Sequence, residues 1–285
     1  ALYTAISYIA NAISKCEIKT YVNHEEVQER DYFILNYSAN INDNSSHFWY
    51  KVIEKMFYSD YGEALVIENN GNLYCADSYS VEEYPMVGNK YSGITIGNLQ
   101  LNRSYRAYEV YLFKLENKKI KTLIDGLHQN YADLLSHAIK TYKKSNAIKY
   151  KLKLENIKAG DKKFQEEFDT VVKSQLKKFM DNDNVVYPQF KGYDLEDVSS
   201  TTKTDSSDFR ALRKEIFEIV AQAFQIPLSL MMGNVTNIDE IAKVFLTFSI
   251  DPLADMITKE TTRKYSVTYE EWAKGNYTKV DTSTI

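Results

Sequence analysis

Apolar residues recur at helical spacing from the start of the chain. Ile6, Ile9, Ala10 and Ile13 share one face and predict a short amphipathic helix over Leu2–Ile13. The period then changes to two. Cys16, Ile18 and Thr20 alternate with Glu17, Lys19 and Tyr21, which reads as a strand over Cys16–Val22. The polar run Asn40–Ser46 follows as a loop, with Ser45 or Ser46 as the expected cap of the next helix. That helix carries Phe48, Trp49, Val52, Ile53, Met56 and Phe57 on one face. Ala64–Glu68 and Leu73–Ala76 flank Asn70-Gly71, the strongest short-range signal for a hairpin with a primed turn.

From Leu123 the pattern lengthens. Leu127, Tyr131, Leu134, Leu135, Ala138 and Tyr142 trace one long helix. Lys149, Lys151 and Lys153 then alternate with Tyr150, Leu152 and Leu154, a strand with one basic face. Phe164, Phe168, Val171, Val172 and Phe179 return to helical spacing, and Val185–Leu195 reads as extended. Ser199–Ser207 holds only Ser, Thr, Lys and Asp and is expected as a flexible loop, after which Asp208 can cap a helix. That helix carries Phe209, Leu212, Ile216, Ile219, Val220, Ala223 and Phe224, and Pro227 limits it. A loop at Met231–Thr236 contains Gly233, and Asn237 with Glu240 forms a plausible capping box. The helix it starts carries Ile241, Val244, Phe245 and Phe248 and meets Pro252, so a kink is expected near Ile250–Asp251. Ser266–Ile285 is polar and is expected to be poorly ordered.

The chain has 285 residues, 44 % hydrophobic and 26 % charged, enough apolar surface for a real core. Twenty-three Tyr against ten Gly and four Pro fit long regular elements. A net charge of −4 argues against a protein that grips duplex DNA, since such domains usually have a pI above ~9. Cys16 and Cys75 lack metal-type spacing, and a reduced cytoplasmic protein is the default reading. No run approaches the ~18–20 apolar residues of a membrane span, and Ala10-Asn11-Ala12 lacks the basic and apolar regions of a signal peptide.

Candidate chemistry is sparse. No phosphate-cradling glycine loop occurs, and His128 and His137 are not at the i, i+4 spacing of a helical zinc pair. Asp181-Asn182-Asp183-Asn184 opens like a calcium loop, but Val185 takes a ligand position and no Gly or closing Glu follows in register. Asp194 and Glu196 near Lys191 could serve a metal-dependent nuclease, or could simply be solvated. The Lys149, Lys151 and Lys153 face could meet phosphates or an acidic partner, yet residues 149–198 hold ten Lys and ten Asp/Glu. No nucleophile lies beside a base. Catalytic residues, metal ligands and cofactors are therefore not assigned.

The order of elements is more telling. A long helix leads into strand–helix–strand, then into a second helix ending Ala223-Phe224-Gln225-Ile226-Pro227-Leu228-Ser229-Leu230-Met231. Thr236-Asn237-Ile238 opens the next helix, which continues through Phe248–Leu253 to Glu260. This resembles the portal proteins of long-tailed bacteriophages, over roughly residues 1–265. Leu35–Ala64 is similar to that family's Leu-Asn loop, amphipathic helix and Gly-Asn-Ala turn, although Ala39 replaces a usual Pro and Gly62-Glu63-Ala64 departs from the turn. The resemblance implies an α+β subunit with five parts. These are a wing (1–124 with 239–265), a first stem helix (125–146), a clip (147–198), a second stem helix (199–232) and a tunnel loop (233–238). Residues 266–285 would be a tail. It further implies a homo-oligomer of about twelve subunits at a capsid vertex, assembled in the host cytoplasm. Double-stranded DNA would pass through without tight binding. The terminase large subunit, a head–tail adaptor, and capsid and scaffold proteins would be its partners, and no membrane. Met232, Gly233, Asn234, Val235, Thr236 and Asn237 would face the channel, Lys149, Lys151 and Lys153 the terminase or adaptor, and Pro252 would mark the helix kink. A metal-dependent nucleic-acid enzyme and a monomeric α/β adaptor module remain as alternatives.

Overall fold

The computed structural model describes residues 1–116 and 207–285, parts of 122–140, and the strands Tyr150–Leu154 and Tyr193–Asp197. These residues fall into two compact units, one of Ala1–Tyr131 with Arg210–Ile285 and one of Ala132–Phe209.

The first unit opens with α1 (Leu2–Ile13), whose Ile6, Ile9, Ala10 and Ile13 are buried as the spacing requires. Strands β1 (Glu17–Val22) and β2 (Glu25–Val27) form an antiparallel pair. Helix α2 (Arg30–Asn36) leads to α3 (Ser45–Tyr58), which contributes Phe48, Trp49, Val52, Ile53, Met56 and Phe57 to the core. Burying each of these large side chains contributes about 1.5–3 kcal/mol. Its cap differs from expectation. Asn44, not Ser45 or Ser46, accepts from the His47 N–H at 2.8 Å, because Ser45 is buried with its hydroxyl turned to the Asn36 carbonyl.

Strands β3 (Glu63–Asn69) and β4 (Asn72–Cys75) form the expected hairpin. Both turn residues are left-handed, Asn70 at φ 52° and Gly71 at φ 71°. A Cβ on Gly71 would come within 2.1 Å of the Arg30 guanidinium, which itself donates to the Asn70 carbonyl. Strands β5 (Ser78–Glu82), β6 (Lys90–Ile96), β7 (Leu99–Gln100) and β8 (Tyr105–Arg106) make a second sheet around β6. Strand β9 (Val110–Lys114) then returns to pair with β3, in the order β4-β3-β9.

In the second unit, residues 132–137 are helical, within the span expected as a long helix. Strands β10 (Tyr150–Leu154) and β11 (Tyr193–Asp197) pair antiparallel. The expected strand at 149–154 is thus present, and its partner extends past Leu195. The expected helix over 164–179 and the Asp181–Asn184 turn lie outside the described residues.

Helix α4 (Ser207–Ala223) begins one residue before Asp208, which is therefore inside the helix and not its cap. It also stops short of the expected end at 232. Gln225 takes φ 57°, and a separate short helix α5 (Leu228–Met232) follows Pro227. Helix α6 (Ile238–Phe245) passes into a π-helical segment over Leu246–Ile250 and then into α7 (Asp251–Tyr265). At the place where the kink was expected the helix widens into this π turn, in which the Asp251 N–H reaches back to the Leu246 carbonyl. Pro252 sits in the first turn of α7, where no donor is needed.

The C-terminal stretch is ordered, contrary to the expected tail. Helix α8 (Tyr269–Ala273) has a Thr268–Glu271 capping box. Strand β12 (Tyr277–Asp281) pairs along β1 in the order β12-β1-β2. Its alternation was hidden because Thr278, a polar residue, is one of the two that face inward. That hydroxyl is satisfied by Thr261 and Thr262 on α7.

Candidate functional site

The segment singled out from sequence is built on the end of α4. Val220, Ala221 and Phe224 lie in the core, with the Phe224 and Phe57 rings 5.2 Å apart. Ile226 and Met231 are also buried, so both ends of the turn into α5 are pinned. Gly233, at φ 74°, ends α5 as a left-handed cap, and the Asn234 N–H closes on the Ser229 carbonyl at 3.0 Å. Beyond this cap residues 232–240 are exposed without interruption.

Met232, Gly233, Asn234, Val235, Thr236 and Asn237 thus form one continuous exposed stretch. Ile226 to Ile238 contains no charged residue. The first charges, Asp239 and Glu240, occupy the first turn of α6, where the helix dipole favours them. Asn237 is the N-cap by position, but its side chain makes no backbone cap. Its amide donates to the Glu240 carboxylate at 3.4 Å, a side-chain contact in place of the expected capping box.

Two features of this region were not foreseen. The first is the anchorage of α7. The Glu260 carboxylate is buried, accepts from the Leu112 N–H at 2.8 Å and pairs with the Arg263 guanidinium. Lys264, one residue past Arg263, donates to the Ala107 carbonyl. Ser249 in the π segment donates to the Gln225 carbonyl at 2.7 Å, tying that segment to the turn after α4. Only a Glu–Arg i, i+3 spacing hinted at any of this. The second is a cleft of about 810 Å³ beside α7, with Phe57, Leu112, Leu253 and Met256 in its walls and Lys259 and Arg263 among its polar lining. Pro252 lines it too.

Of the remaining sequence candidates, Lys149 lies outside the described residues. Lys151 and Lys153 occupy β10, in register with Glu196 and Asp194 of β11. Glu196 and Asp194, considered for a nuclease, are therefore the backbone register partners of Lys151 and Lys153. Asp181 and Asp183 lie outside the described residues. Among the described residues no group of three or more His, Cys, Asp or Glu could hold a metal ion. Burial pushes the Cys16 thiol up to about 12 and the Cys75 thiol up to about 11, so neither supplies a thiolate nucleophile near neutral pH. No helix among the described residues is long and apolar enough to cross a membrane.

The family model described as phage portal protein matches residues 1–285. No curated protein matches the sequence. An HK97-family phage portal protein from Corynebacterium diphtheriae has a similar fold, with a TM-score of 0.61 at 11 % identity over 99 % of this chain and 92 % of that one. A chain in the neck of an empty gene transfer agent particle, computed with C6 symmetry, gives 0.66 at 14 % identity over 99 % and 81 %. One from the native particle's neck, computed with C12 symmetry, gives 0.60 at 14 % over 99 % and 80 %.

Proposed function

Because this chain belongs to the phage portal protein family, we propose that Met232–Asn237 is the loop its ring presents to the DNA passing through. The family match over the whole chain carries the general reading: a structural head–tail connector subunit of the virion. The symmetric necks containing similar folds support a closed ring, and the C12 case supports twelve copies. Residues 1–124 with 239–265 serve as the wing. The helical stretch within 125–146 and α4 are the stems, and 147–198 is the clip. Lys149, Lys151 and Lys153 belong to the part that meets the terminase and later the adaptor, and the wing meets capsid and scaffold proteins. Assembly takes place in the host cytoplasm, and no hydrolytic step belongs to the subunit itself.

Physics supports the channel role of the loop. The exposed residues 235–237 lie beyond the cap bonds, and the lumen of a ring is a polar, hydrated surface that suits them. An uncharged tip can touch a duplex without the phosphate grip that Lys or Arg would impose. Mild like-charge repulsion from an acidic subunit also keeps DNA from sticking.

The test separates assembly from transport. Met232→Lys with Val235→Lys, and separately deletion of 233–236, should leave rings visible by negative-stain microscopy but reduce packaged DNA at least about tenfold, a change of ~1.4 kcal/mol in an effective equilibrium. Unchanged packaging, or loss of the rings themselves, would sink the channel assignment.

A further inference from the structure

Asn70-Gly71 is the single Asn-Gly pair of the chain, and Asn70 is exposed at the tip of the β3–β4 hairpin. Asparagine is among the thermolabile residues, and a following glycine makes it more so, because no side chain shields the glycine nitrogen. In the reaction the Gly71 nitrogen gives its proton to solvent and bonds to Cγ of Asn70. The Cγ–Nδ2 bond breaks, and Nδ2 leaves as ammonia with a proton taken from solvent. Water then opens the five-membered imide at either carbonyl and leaves an aspartate or an isoaspartate at position 70.

Ring closure needs the Gly71 nitrogen on the same side of the Asn70 Cα–C bond as Cβ, within about 3–3.5 Å of Cγ. The hairpin holds it on the other side. Asn70 is left-handed at φ 52°, and in that region ψ is about +30 to +60°, which turns the Gly71 nitrogen nearly opposite to Cβ. Closing the ring would therefore rotate the Asn70–Gly71 peptide through most of a half-turn. Two donors hold the carbonyl of that peptide, the Arg30 guanidinium at 2.9 Å and the Asn72 amide at 3.3 Å. The Arg30 guanidinium also fills the space where a Cβ on Gly71 would stand, so it blocks one side of the swing.

We propose that Asn70 is a latent site of self-conversion to the acid, and that Arg30, reaching over from α2, is the residue that holds it off. Arg30 is a positioning residue here: it fixes the peptide plane and touches neither Cγ nor the leaving nitrogen. The consequence of conversion lies in the turn. An isoaspartate adds a backbone methylene to a two-residue loop, on whose length the cross-strand pairs Asn69↔Asn72 and Glu68↔Leu73 depend. Leu73 is buried in the core, so the guard on Asn70 protects the register of a core hairpin.

The experiment incubates the folded full chain in mildly alkaline buffer and digests samples in acid, where the glycine nitrogen keeps its proton. Mass spectrometry of the peptide holding residue 70 then gives the amide-to-acid mass gain and the isoaspartate fraction. Wild type in urea should convert faster than folded wild type; equal rates would overturn protection by the turn. Arg30→Met, shown to be folded by a wild-type near-ultraviolet circular dichroism spectrum, should convert at least about threefold faster than folded wild type, ~0.6 kcal/mol of barrier. Conversion at the wild-type rate, or slower, would overturn the role of Arg30. Arg30→Lys keeps a donor for the carbonyl but lacks the flat guanidinium, and it too should convert faster than wild type. It carries the test should Arg30→Met not fold, and a wild-type rate would then overturn the role equally.

Discussion

At the scale of single residues, burial sets the chemistry of the side chains that hold α7 in place. Lys264 is partly buried against the Ala107 carbonyl, and loss of hydration lowers its pKa to about 8, with Arg263 adding to the depression and Glu260 opposing it. In the unfolded chain a lysine titrates near ~10.4. Between about pH 8 and pH 10 the unfolded state therefore keeps a proton that the folded state has released. Stability contributed by this residue rises with pH through that window. Tyrosines and cysteines of the unfolded chain also titrate near this range, so the useful quantity is a difference. The melting temperature of wild type minus that of Lys264→Met should increase between about pH 8 and pH 10. A difference independent of pH would show that the ammonium is not desolvated.

At the scale of elements, the breaks between helices matter as much as the helices. Gln225 holds a left-handed conformation between α4 and α5, a geometry that costs an L-residue about 1–2 kcal/mol. Its side chain is exposed, so the backbone strain dominates. Gln225→Gly should stabilise by up to about 1 kcal/mol, after the extra chain entropy of glycine is subtracted. Gln225→Val, with its branched Cβ, should destabilise by about 1–2 kcal/mol. Urea midpoints in the order Gly, Gln, Val test this, and the reverse order would show that Gln225 is not left-handed in solution. Pro252 marks the place where the helix changes from π to α hydrogen bonding. The proline fits the first turn of α7, directly after the extra residue of the π turn.

At the scale of the whole molecule, the first unit is closed by its last strand. β12 lies along β1 from Glu17↔Asp281 to Tyr21↔Tyr277, with Lys19 and Asp281 2.8 Å apart and the two tyrosine rings stacked at 4.5 Å. Ile18 and Thr20 of β1 and Thr278 and Val280 of β12 are buried by this pairing and by α7. Deleting residues 277–285 should therefore abolish a cooperative thermal transition in the first unit, read by near-ultraviolet circular dichroism. A transition at the wild-type temperature would mean that the terminus is dispensable to the fold.

Sequence by itself determined what depends on neighbours a few positions away. The faces of α1 and α3, the alternation of β1, the Asn70-Gly71 hairpin and the uncharged run through Met232–Asn237 are all local signals, and each appears in the structure. So is the order of segments that pointed to the portal family, which the match over the whole chain bears out. Only tertiary structure decided which of several polar residues acts as a cap or an anchor. Asn44 displaces Ser45 as a cap because Ser45 is turned inward toward Asn36. Glu260 meets the Leu112 backbone 148 positions away, and β12 is a strand because β1 and α7 supply partners for its backbone and for Thr278. Such pairings leave no period along the chain. Hydrogen bonds to distant partners make polar residues suitable for burial, and composition alone assigns those residues to the surface.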